Sequence, residues 1–201
     1  MNIWFDMKEI EEINKIKSVV EYILQQMGEA VDYIHLFKVM YFAQEEHLAI
    51  YGVPIMYDTF VARKHGPVPS LTYKVLRVAE GKAVDATCEL QAFASDLSLS
   101  MSEGHQVVTL ADGVQCDMDE LSRSNIRILD KWIEHCRGIK SFDLSELSHD
   151  TAWQKAVRQT ERTGEDTKIS LYDMAASGGA SKDMLGVLKE RQMNRRALSW
   201  T

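Results

Sequence analysis

Cysteine is scarce in this chain, and the three present, Cys88, Cys116 and Cys136, are widely spaced, odd in number and free of any Cys-x-x-Cys pair. That pattern excludes a disulfide framework and a zinc knuckle, and leaves reduced structural cysteines. Long apolar runs are missing too. Nothing approaches the roughly 20 residues needed to span a bilayer, and the opening Met1-Asn-Ile-Trp-Phe-Asp-Met-Lys-Glu9 has no basic stretch followed by an apolar core, so a soluble, cytoplasmic protein is expected. Positive charge is in deficit: 23 Lys and Arg against 30 Asp and Glu give a net charge of -7. Neutralising phosphates needs clustered cations, so nucleic-acid binding by the domain as a whole is not expected. The exception is the stretch 182–201, where Lys182, Lys189, Arg191, Arg195 and Arg196 outnumber Asp183 and Glu190. It reads as a solvated helical tail, with a basic contact surface as the alternative.

Catalytic fingerprints are absent as well. There is no Gly-x-Gly-x-x-Gly, no phosphate loop, no Gly-x-Ser-x-Gly elbow and no His-Glu-x-x-His. The six histidines, His35, His47, His65, His105, His135 and His149, include no pair spaced to put two ligands on one helical face, so neither a metal nor a cofactor is expected. His47, on the apolar face of its helix, reads as a core histidine with its hydrogen bonds satisfied. Ser148-His149-Asp150 contains the residues of a hydrolytic triad, but adjacent side chains diverge and cannot line up as nucleophile, base and orienting acid. The structural reading is that Ser148 caps a helix, Asp150 lies in its first turn, and Trp153 stacks one turn beyond His149.

What is present suits a single α+β domain over 1–201, predominantly α-helical, because 45% hydrophobic residues can build a real core. Ile10, Ile13, Ile16, Val19, Val20, Ile23, Leu24 and Met27 recur at helical spacing over 8–27, and Gly28 stops that helix. A second helix over 32–51 starts at Asp32 as N-cap, carries Tyr33, Phe37, Met40, Tyr41, Gln44, His47, Leu48 and Tyr51 on one face, and ends at Gly52. Pro54 and the change of period after it predict a loop and a short edge strand near 55–63. Further helices are predicted over about 87–102, 119–136, 143–160 and 181–193, with a hairpin over 105–116 turning at Asp112-Gly113.

Between strand and helix lies Arg63-Lys64-His65-Gly66-Pro67. It is predicted to turn directly into a helix carrying Pro67 and Pro69 in its first turn, with three basic side chains near the free N–H groups. Such a corner is either a rigid structural turn or a site for an anion or acidic peptide.

In order, Lys38-Val-Met-Tyr-Phe-Ala-Gln44, His47-Leu-Ala49, Gly52-x-Pro54, His65-Gly-Pro-Val68 and Leu147-Ser-His-Asp-Thr-Ala-Trp153 resemble the SocA-like antitoxin domain, also called Panacea, a family that includes phage-associated proteins. The likeness covers about 30–155, and order and spacing carry it rather than any single element. It departs at Val39-Met40, where the family has leucines, and at Ser148, where it has threonine. The resemblance implies a mainly helical domain, and the flanking residues are expected to add an N-terminal helix in 1–29 packed on it and a C-terminal helical extension over 160–201. It further implies the antitoxin of a toxin–antitoxin module, which neutralises a toxin encoded nearby by direct binding. In at least one branch such a protein is an adaptor that delivers the toxin to a protease or its unfoldase. A binding protein rather than an enzyme is therefore expected, without cofactor, metal or membrane partner. Lys38, Arg63, Lys64, His65, Gly66, Pro67, His149 and Trp153 form its partner-binding or structural motif. Two alternatives stay open. One is an enzyme or a small-ligand or metal-binding protein with a pocket where His65, His149, Arg63 and Lys38 converge. The other is a phage-associated regulator that touches DNA through the basic C-terminus.

Overall fold

The computed structural model describes residues 3–198 except 84 and 103, and side chains only within 9–194. The chain runs through α1 (Ile3–Met27), β1 (Val31–Asp32), α2 (Tyr33–Tyr51), β2 (Phe60–Arg63), β3 (Gly66–Pro69) and α3 (Ser70–Ala79). It continues with α4 (Cys88–Ser95), β4 (Leu97–Ser102), β5 (His105–Leu110) and a short 3-10 turn (Met118–Glu120). The rest is helical: α5 (Arg123–Cys136), α6 (Ser141–Leu147), α7 (Thr151–Thr163), α8 (Leu171–Ser177) and α9 (Lys182–Leu198). The class is the expected one, α+β and mostly helical.

Helix α2 is the axis of this arrangement, and two residues fix its ends as expected. The Asp32 carboxylate accepts the His35 backbone N–H at 3.0 Å, and Gly52, at φ 64°, donates its own N–H to Leu48 O at 2.9 Å. Between these caps every residue of 36–45 is buried, so α2 is enclosed on all sides rather than along one stripe. Helices α1, α5, α6, α8 and α9 and strand β3 all pack on it. Each buried Leu, Val, Phe or Met contributes about 1.5–3 kcal/mol. Leu36, Phe37, Val39, Met40, Phe42 and Leu48 together therefore outweigh any single polar contact made by the helix.

Polar groups on α2 tether the loop that follows. Gln44 donates to Met56 O and accepts from Ile55 N, both at 2.8 Å, while His47 reaches Val53 O at 2.8 Å and Ser124 Oγ at 3.1 Å. His47 is thus the satisfied core histidine that its position suggested. Farther along the same loop, the buried Asp58 accepts from Leu71 N, Thr72 N and Thr72 Oγ1 at 2.7–2.9 Å. It serves as a remote cap for α3, whose own N-cap residue, Pro69, makes no side-chain capping bond.

Several expected boundaries move. Pro67 and Pro69 lie in β3, not inside a helix, and α3 begins only at Ser70. In the β2–β3 hairpin Ala62 pairs with Pro67 and Phe60 with Pro69. Ala62 N and Phe60 O bond outward to Thr167 O and Ile169 N, so the missing proline N–H groups are not required. The segment 87–102 splits into α4 and β4, because Leu97, Leu99 and Met101 alternate with serines at the period of a strand. Strand β5 pairs antiparallel with both β4 and β1, in the order β1-β5-β4. Its hairpin with β4 therefore turns next to Gly104, and Asp112-Gly113 is only a turn beyond the sheet. Over 119–136 the helix proper starts at Arg123, where Ser122 and Asn125 form a reciprocal capping box. The predicted helix over 143–160 is two helices, and α8 within the C-terminal stretch was not foreseen.

Candidate functional site

The break between α6 and α7 is the key to the site. Ser148 closes α6 instead of opening a helix, with its hydroxyl donating to Ser145 O at 2.7 Å. Asp150, expected inside the first turn of α7, is its N-cap. One carboxylate oxygen accepts from Trp153 N and the other from the Tyr41 hydroxyl, each at 2.8 Å. One carboxylate thus starts α7 and fastens it to α2.

Lys38, one turn earlier on α2, is 1% exposed, and its ammonium donates to Pro67 O at 2.9 Å. Gly66, at φ +95°, brings the hairpin close enough for this bond. A Cβ there would strike Ser148 Oγ and stand 2.6 Å from Lys38 Nζ. From the other side, the Trp153 indole N–H donates to Arg63 O at 3.0 Å, and the His149 ring stacks on Trp153 with centroids 3.8 Å apart and planes 17° from parallel. Lys38, Arg63, Gly66, Pro67, His149 and Trp153 are therefore brought together from three separate segments. They form a clamp that holds the β2–β3 hairpin between α2 and the start of α7.

The remaining two candidates sit at the tip. Lys64 and His65 are exposed in the turn of the hairpin, and among the described residues neither side chain has a hydrogen bond or ion pair, although the Lys64 backbone and the His65 ring both act on His149. Arg63 is also at the surface but pairs with Asp166 at 2.6 Å. The three basic side chains do not gather at a helix N-terminus, because a whole strand separates the turn from α3. Of His65, His149, Arg63 and Lys38, the Lys38 amine is spent on Pro67 O and Arg63 pairs with Asp166, while Lys38 and His65 both act on the His149 ring; none of the four lines the cavity of about 440 Å³ beside Phe60. Among the described residues no group of His, Cys, Asp and Glu could hold a metal ion.

The electrostatics of the clamp are unusual. Burial pushes the Lys38 ammonium down to about 7, although the Asp150 charge acts to raise it. Seven residues on, Glu45 is 8% exposed, and its Oε1 has no hydrogen-bond partner among the described residues. Burial first, and then the Asp150 charge, push its carboxyl up to about 9, so that it holds a proton at neutral pH. Burial also lowers the His149 imidazole, against Glu146 and with help from Lys38 and His65. The polar parts played by Tyr41 and Glu45 were not expected from the sequence. The signal was there, since Lys38, Tyr41 and Glu45 at i, i+3 and i+7 make a polar stripe along one face of a helix buried over the whole of 36–45.

No helix among the described residues is long and apolar enough to cross a membrane. No curated protein and no solved structure matches the chain. A model of the family described as "Antitoxin SocA-like, Panacea domain" does match, over residues 36–154. That span is more than half of the 201 residues and runs from α2 through the hairpin to the opening of α7. The clamp therefore lies inside the domain that defines the family, which supports a role of antitoxin type, and the chain belongs to the SocA-like antitoxins through its Panacea domain.

Proposed function

We propose that the chain neutralises a toxin encoded beside it by direct protein–protein binding, and that the tip of the β2–β3 hairpin is part of the recognising surface. The observation that carries this reading is the contrast within one short hairpin. Its base is held from α2 by Lys38, from the α6–α7 break by Ser148 against Gly66, and from α7 by Trp153, while the exposed side chains of Lys64 and His65 at the tip have no hydrogen bond or ion pair among the described residues. A clamped base lowers the ordering cost of binding, and an exposed Lys64 ammonium without an acidic partner in a chain of net charge -7 favours an acidic patch on the other protein. A binding role needs shaped surface rather than a nucleophile, and the polar groups of Lys38 and Trp153 are spent on backbone carbonyls of the hairpin.

Charge reversal at the tip tests the surface while leaving the Lys38 and Trp153 bonds that hold the hairpin base in place. Lys64→Glu with His65→Glu is expected to weaken co-purification of the neighbouring gene product by about tenfold or more, with the fold unchanged by circular dichroism. Unaltered co-purification would remove the hairpin tip from the interface. Occlusion of the toxin and its delivery to a protease share this binding step, and rescue in a host lacking the protease's unfoldase separates them.

A further inference from the structure

We infer that a second docking element lies next to the hairpin: a pocket of about 440 Å³ that receives an apolar side chain of the partner protein, with an adjacent carboxylate of that partner paired to Arg191 and Lys168. This inference rests on the antitoxin reading and extends it to the C-terminal segment outside the family match. One wall comes from the domain, with Gly52, Val53, Pro54 and Phe60, and the other from the extension, with Ile169, Leu171, Met174 and Leu188. The size is that of a pocket able to seat a large anchoring side chain, the kind of contact that dominates binding between proteins.

Charge complementarity identifies the occupant. The one acid in the lining, Asp58, is buried and spends both oxygens on Leu71 and Thr72, so it presents no free charge to the pocket. Lys168 is exposed, and Arg191 donates to Gly52 O at 2.6 Å; no carboxylate pairs with either among the described residues. An acidic protein thus keeps an apolar hollow whose free charges are positive. Exposed apolar side chains in the segments that wall it, Ile50, Val53, Val187 and Met193, fit a protein face rather than an enclosed small molecule. The pocket is also continuous with the hairpin. Phe60 lines it and begins β2, and Val61 bridges Lys168, so pocket and hairpin tip lie about 10 Å apart along one strand.

The probe is 8-anilinonaphthalene-1-sulfonate, an apolar body with one anionic group, titrated into the full chain and followed by fluorescence. One saturable site is expected. Its affinity should fall about tenfold in Arg191→Glu and in Lys168→Glu and stay unchanged in Lys189→Glu, a charge reversal on α9 outside the lining. The purified neighbouring toxin should displace the probe, and the two pocket variants should lose toxin binding in parallel. Equal probe binding by all variants overturns the pocket assignment, as does a toxin that is neutralised without displacing the probe; in both cases the antitoxin reading stands. Failure of the wild-type chain to neutralise the toxin overturns that reading, and this docking site with it.

Discussion

Lys38 and Glu45 are buried ionisable groups whose charged forms the fold disfavours, so their titrations pull stability in opposite directions. Glu45 is raised from 4.5 to about 9, so the folded state binds the extra proton, and its contribution, complete below pH 4.5, is lost as pH rises towards 9. Lys38 is lowered from 10.5 to about 7, so the unfolded state binds the extra proton, and its penalty, absent above pH 10.5, grows as pH falls towards 7. Urea midpoints are therefore expected to fall from pH 5 to 7, level off between 7 and 9 where the two slopes oppose, and fall again above 9, where the buried thiols of Cys116 and Cys136, pushed up to about 11 and about 12, outweigh Lys38. Glu45→Gln should abolish the fall from pH 5 to 7 and stabilise the protein at pH 7 by on the order of 2 kcal/mol, and Lys38→Met should turn the plateau between 7 and 9 into a continued fall. A flat wild-type profile from pH 5 to 7 would show that Glu45 is ionised in the folded state. At Gly66 the argument is steric: Gly66→Ala has no room beside Ser148 and Lys38 and is strained at φ +95°, so a loss of about 2–4 kcal/mol is expected in denaturant unfolding.

At the scale of the element, the hairpin is too short to hold itself, because β2 and β3 have four residues each. Its order comes from outside, and Trp153 is the contact most easily edited. Trp153→Phe keeps a ring for His149 but loses the bond to Arg63 O, and should cost about 1 kcal/mol. Hydrogen exchange at Val61 and Arg63 should then speed up selectively; uniform acceleration across the molecule would mean that Trp153 supports the whole fold and not the hairpin. Elements with strong local signals were legible in the sequence. Both ends of α2 follow from Asp32 and Gly52, and the class follows from helical periodicity. The errors arose where tertiary context decided. Proline suits a helix's first turn as well as an edge strand, and only the outward bonding of Phe60 and Ala62 to 167–169 selects the strand. Ser148 and Asp150 carry capping chemistry for either end of a helix, and nothing local told which. The candidate residues were found through order and spacing, but their division into a buried clamp and an exposed tip is set by packing across more than 100 residues.

For the molecule as a whole, the C-terminal extension is part of the enclosure of α2. Met174 and Ala175 of α8 and Leu188 of α9 are buried in the core, and Gly178 abuts the Glu45 backbone, where an added Cβ would lie 2.7 Å from the carbonyl oxygen. Gly178→Ala should therefore cost about 1–3 kcal/mol although its φ is ordinary, as read from a thermal melt. An unchanged melting temperature would show that α8 sits loosely on α2. The basic tail of the sequence divides likewise: Arg191 is engaged with Gly52, whereas the side chains of Arg195 and Arg196 lie outside the described residues. The central claim is that this Panacea domain neutralises a toxin by binding it. Its most direct test is growth of cells expressing the neighbouring gene, alone and together with this chain, with affinity co-purification from the same cultures. Arrest by the neighbour alone is expected, and recovery on co-expression with the two proteins retained together. A neighbour that is harmless alone, or one whose toxicity persists while this chain is present and folded, would contradict it.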